Sequence, residues 1–103
     1  MNQKKLEQMQ FLEQNLQGIF MQKQAFQMEL SETLSAISEI EKAKDSVYKV
    51  IGQLMIKISK EKILEELNSK EKLINTRLNS LQNQEEKIQE QIHNIREELI
   101  SKK

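Results

Sequence analysis

The chain has 103 residues, of which 37% are hydrophobic, 31% charged and only 4% aromatic, with two glycines, no proline and no cysteine. That length holds one domain, the sparse aromatic material does not fill a compact catalytic core, and the lack of cysteine excludes disulfides, thiolate catalysis and cysteine-bound zinc. Sixteen basic residues cancel sixteen acidic ones, leaving no one-signed surface for nucleic acid or an anionic membrane.

Few turn residues and apolar residues that recur throughout predict long helices. The first, expected over residues 1–44, carries the seam Met9, Leu12, Leu16, Ile19, Lys23, Phe26, Leu30, Thr33, Ile37, Ile40. The steps alternate three and four without a slip, as the core stripe of a coiled coil does. Only Lys23 and Thr33 are polar, and Gly18 costs its turn about 1 kcal/mol relative to alanine. Asp45 and Ser46 are read as the end of this helix.

Residues 46–59, SVYKVIGQLMIKIS, change the period to two. The even positions Tyr48, Val50, Leu54, Ile56 and Ile58 are apolar around Gly52, while the odd ones (Val47, Lys49, Ile51, Gln53, Met55, Lys57) are mixed. Two β-branched strands joined by a Gly52-Gln53 turn are predicted. An isolated hairpin is marginal in water, and apolar strands with open edges aggregate or join other strands. Obligate oligomerisation is therefore expected through Val47, Tyr48, Val50, Ile51, Gly52, Leu54, Ile56 and Ile58, with strands of several chains closing a barrel. The competing reading is a small cover at the end of a monomeric helical hairpin.

The second helix is expected over 60–101, with Ser59 as its cap and Glu61 against its positive end. Its seam runs Leu64, Leu67, Glu71, Ile74, Leu78, Leu81, Glu85, Ile88, Ile92, Ile95, Leu99. Folding the chain back about residue 52 sets Met9 opposite Ile95, Leu12 opposite Ile92, Phe26 opposite Leu78, Leu30 opposite Ile74 and Thr33 opposite Glu71. Ile19 then faces Glu85 and Lys23 faces Leu81, a softer stretch in which Lys23 and Glu85 can pair diagonally. The polar breaks read most simply as register devices. The expected fold is mainly α: one domain over 1–103, a long antiparallel coiled-coil hairpin with one β-hairpin (46–59) at the helix–helix connection. At 1.5 Å per residue it makes a rod about 50–60 Å long.

Nothing in this pattern reads as an active site. His93 is the one histidine, on a helix rich in Glu and Gln, and carboxylates such as Glu85 and Glu86 stand on a narrow rod with no cleft to perturb them. No Gly-rich phosphate loop is present. Neither an enzyme nor a metal or cofactor is expected. The apolar runs fall short of the roughly 20 residues of a membrane span, and MNQKKLEQMQFLEQNLQ lacks the apolar core of a secretory signal, so the cytoplasm is the expected location.

A helix, then VYKVIGQLMIKISKEKILEEL, then a heptad helix containing LNSLQNQEEKIQEQI, resembles the beta class of prefoldin subunits over nearly the whole chain. The most specific stretch is Val47-Tyr48-Lys49 through Gly52, with the second strand and the Lys60-Glu61 helix start. One hairpin matches the beta class, since alpha-class subunits carry two and are longer. The resemblance implies a hexamer of two alpha-class and four beta-class subunits, its hairpins forming two β-barrels and its coiled coils hanging as tentacles. It further implies ATP-independent capture of unfolded polypeptides at the tentacle tips and their transfer to a group II chaperonin. Gly18 and Lys23 depart from an unbroken first-helix stripe.

Physical reading of the free end agrees. Met9, Phe11, Leu12, Ile92, Ile95, Leu99 and Ile100 cluster there, Phe11 and Ile100 lie off the seam, and two helices do not bury them all. Apolar groups of this kind suit promiscuous binding, and several tips around one cavity raise avidity. Against this stands the simpler role of closing the coiled-coil end. The alternative function is a structural coiled-coil adaptor without chaperone activity, which has no need of a barrel-forming hairpin.

Overall fold

The computed structural model describes residues 2–44 and 46–101. In chain order they form α1 (Asn2–Lys42), β1 (Val47–Ile51), β2 (Leu54–Ile58) and α2 (Lys60–Ser101). Asp45, expected to end the first helix, lies outside the described residues, as do residues 1, 102 and 103 of the expected domain. The helix stops before that point, at Lys42, where the Ala43 N–H reaches the Ile40 carbonyl at 3.0 Å in a tightened last turn.

Side chains from the start of α2 finish both helix ends at this junction. Ser59 is the N-cap of α2: its Oγ accepts the Lys62 N–H at 3.2 Å, while its carbonyl accepts the Ile63 N–H at 3.1 Å. Glu61 stands in the first turn, where negative charge is favoured. Lys60 Nζ reaches back to α1 and donates to the carbonyls of Glu41 at 2.9 Å and Ala43 at 3.0 Å. Those carbonyls belong to the helix end that lacks intrahelical donors and carries partial negative charge, so an ammonium satisfies both needs.

Between the helices, β1 and β2 pair antiparallel from Val47↔Ile58 to Ile51↔Leu54. The turn is the two residues Gly52-Gln53. Gly52 has φ 61°, and no other described residue has a positive φ, the φ pattern of a type II′ turn with glycine first. This register corrects one expectation. The even-numbered residues 48–58 do not share a face, because directly paired residues point to the same side and every pair here joins an odd to an even number. Tyr48 and Val50 share one face with Met55 and Lys57. Leu54, Ile56 and Ile58 lie on the other with Val47, Lys49 and Ile51.

The chain divides into two compact units, one of Met1–Phe26 with Arg77–Lys103, the other of Gln27–Thr76. In the first, the two helical segments run antiparallel. Ile19, Leu81, Ile92 and Ile95 are buried, and the remaining seam residues, Met9, Leu12, Leu16, Lys23, Phe26, Leu78, Glu85, Ile88 and Leu99, are half-buried. Lys5 pairs with Glu98 along the flank. The stretch expected to be soft is packed on both sides by Ile19 and Leu81, and Lys23 does pair with Glu85: Nζ lies 3.3 Å from Glu85 Oε1 and 2.9 Å from Gln82 Oε1. These two charged side chains are only 19% and 18% exposed.

In the second unit the seam continues through Leu30, Thr33, Ile37, Ile40, Leu64, Leu67, Glu71 and Ile74, with Thr33 and Ile74 buried and the others half-buried. Thr33 avoids an unmet hydroxyl by donating Oγ1–H to the Glu29 carbonyl one turn back, at 2.8 Å. Glu29 also meets Lys70 of α2, 3.5 Å across the flank. Every seam position named from the heptads is thus buried or half-buried, because apolar side chains spaced three and four apart form one stripe that a facing helix covers.

Candidate functional site

Among the exposed apolar side chains, those of two places bear on the residues expected to act. The first is the hairpin. Tyr48, Val50, Ile51, Leu54, Met55 and Ile56 are between 44% and 70% exposed, and they lie on both faces. Only Val47 and Ile58, at the helix-proximal ends of the strands, are half-buried. Lys49 crosses to Glu66 of α2 at 3.3 Å, which tethers the Val47–Ile51–Leu54–Ile56–Ile58 face to a helix. The face of Tyr48, Val50 and Met55 has no such tether among the described contacts. Of the expected oligomerisation residues, the hairpin brings all eight together, with Gly52 supplying the turn.

The second place is the free end of the first unit, where the expected client-binding residues separate into two groups. Phe11 and Ile100 are each 62% exposed. Ile92 and Ile95 are 6% and 8% exposed, and Met9, Leu12 and Leu99 are half-buried, so these five close the seam. Leu6, half exposed, joins Phe11 and Ile100 on the surface. Sequence reasoning passed over Leu6, Phe20 and Met21, all exposed. For Phe20 the signal was present: it follows the seam position Ile19 by one residue, a flanking place where an apolar side chain is unusual in a two-helix coil.

His93 faces solvent with Nε2 3.6 Å from Glu97 Oε1, one helical turn on. Among the described residues no cluster of His, Cys, Asp or Glu is arranged to hold a metal ion. Among the described residues no helix is long and apolar enough to cross a membrane.

A helix, a single two-stranded hairpin and a helix define a class of protein in which a coiled coil carries a small sheet at its connection. Comparison with known proteins gives the class its family. Residues 3–103 match the sequence profile described as prefoldin subunit. Prefoldin subunit beta of Pyrococcus furiosus is 41% identical over 96 residues, covering 91% of this chain and 82% of its own. Prefoldin subunit beta of Methanosarcina acetivorans is 32% identical over 99 residues, covering 94% and 85%. The crystal structure of the prefoldin beta subunit from Thermococcus strain KS-1 superposes with a TM-score of 0.92 at 36% identity, covering 97% of this chain and 90% of that one. The chain belongs to the prefoldin subunit family and resembles its beta class.

Proposed function

We propose that this chain is one subunit of a cytoplasmic, ATP-independent chaperone that holds unfolded polypeptides at the ends of its coiled coils and passes them to a group II chaperonin. Its assembly joins strands of residues 47–58 from several chains into barrels, in a hexamer of four such chains and two alpha-class companions. The observation that carries this reading is the hairpin: six large side chains, exposed on both faces of a sheet of two strands. Burying a large apolar side chain fully is worth about 1.5–3 kcal/mol, so pairing with further strands is strongly favoured over leaving the hairpin in water. Phe11 and Ile100 are the client-binding residues best placed at the tips, with Leu99 beneath them. Each tip binds weakly, and several around one cavity hold a client through effective concentration.

Native mass spectrometry of the tagged protein, purified from its own cells, tests the assembly. A hexamer containing a longer companion chain is expected. A monomer or simple dimer without a companion would overturn the shared barrel and favour a coiled-coil adaptor. For the tips, replacing Phe11, Leu99 and Ile100 with serine should reduce suppression of a client's aggregation while leaving the oligomer intact. Unchanged suppression in an intact oligomer would place the client surface elsewhere.

A further inference from the structure

The first unit also carries a groove away from the tips. It has a volume of about 380 Å³ and is lined by Glu13, Leu16, Gln17, Phe20, Glu85 and Gln89. A second depression shares Glu13, Leu16 and Gln89 and continues along Ile92, His93 and Arg96. The cause is visible in the seam. Phe20 stands one residue past the buried Ile19 and turns toward the flank. The groove wall beside it on α2 is Glu85 and Gln89, not an apolar pair, so the ring stays 56% exposed. Leu16 and Ile92 supply the apolar floor. The size falls at the small end of the roughly 300–1,000 Å³ typical of ligand clefts, enough for one bulky side chain and its neighbours.

Charge at the Phe20 end has one sign to offer. Glu85 is already held by Lys23, whereas Glu13, which lines both depressions, makes no ion pair among the described residues. An apolar side chain seated against Phe20 and Leu16 therefore has an uncommitted carboxylate beside it. We infer that this groove takes a short unfolded segment in which a bulky apolar side chain stands next to a lysine or arginine. The inference rests on the chaperone reading above and gives it a sequence preference: the tips select for apolar character, and the groove selects for a neighbouring cation.

Three dye-labelled unstructured peptides test it, sharing one aromatic core flanked by lysine, glutamine or glutamate and titrated by fluorescence anisotropy against the intact assembly. The lysine peptide should bind about threefold more tightly than the glutamate peptide at low salt, the scale of a solvent-open ion pair. Glu13→Gln should erase that ratio, bringing the lysine and glutamate peptides to about equal affinity. Phe20→Ser, an exposed change whose folding circular dichroism checks, should weaken all three. The double variant Phe11→Ser, Ile100→Ser should lower all three affinities and keep their ratio. Equal binding of the three peptides by the wild type, or a ratio that survives Glu13→Gln, overturns the groove and leaves the tips standing. Failure of every peptide to bind overturns both.

Discussion

Ile74 of α2 and Leu54 of β2 are both aliphatic side chains within Gln27–Thr76, yet Ile74 is 3% exposed and Leu54 66%. The helices meet their partner within one chain: a stripe on α1 and a stripe on α2 cover each other, and the polar seam residues Lys23, Thr33 and Glu85 find hydrogen-bond partners there. Among the described residues the two-stranded sheet has no second layer and no third strand. Its side chains have the same chemistry and a different geometry, since successive residues in a strand point to opposite faces and two narrow helices cover neither fully. A chain of this design is complete as a coiled coil and incomplete as a sheet. On the proposed assembly, stability and association therefore reside in separate parts of one short sequence.

The largest effect should come from the incomplete part. Placing a carboxylate on each face of the hairpin, Val50→Glu with Leu54→Glu, should abolish assembly in size-exclusion chromatography with light scattering while helix content by circular dichroism stays near wild type. Retained assembly would break the contrast. Within the isolated chain the order reverses. Ile74→Ala should lower the urea unfolding free energy by about 2–4 kcal/mol, the usual range for emptying a buried aliphatic site, whereas Leu54→Ala should change it by less than about 0.5 kcal/mol, as exposed substitutions do. Lys60→Met removes two charge-assisted hydrogen bonds to the end of α1 and should cost about 1–2 kcal/mol, with Lys60→Arg restoring part of the loss. Gly18→Ala should do the opposite and stabilise by about 0.5–1 kcal/mol, because an added Cβ there meets nothing within 4 Å.

The seams were legible because their period is a property of consecutive residues: Met9 to Ile40 and Leu64 to Leu99 can be counted without knowing what they touch. The turn was legible for the same reason, since a glycine between β-branched runs carries its own backbone preference. The faces of the hairpin were not, because a two-residue turn pairs odd with even numbers, and alternation read straight through Gly52-Gln53 joins side chains that end up on opposite sides. The Lys60 bridge was hidden as well. It depends on where α1 stops, and the sequence near Asp45 gave a later end than Lys42. At the free end, the seam pattern set Ile92 opposite Leu12 and Ile95 opposite Met9, and both isoleucines are buried, whereas Phe11 and Ile100 stood off the stripe and remain exposed.

The Lys60 bridge has a further consequence, for the order in which the chain folds. Lys60 and Ala43 are 17 residues apart, Lys23 and Gln82 are 59 apart, and Lys5 and Glu98 are 93 apart. Closing the shortest of these loops first costs the least chain entropy, and each later contact then closes only a small additional loop. Folding should nucleate at the junction of α1, the hairpin and α2 and zip outward, so that a change in helix length at the far end alters the last steps and not the first. Backbone hydrogen exchange checks this: protection should be greatest in the helical turns beside the junction, around Ile40 and Leu64, and fall steadily toward Phe11 and Ile100.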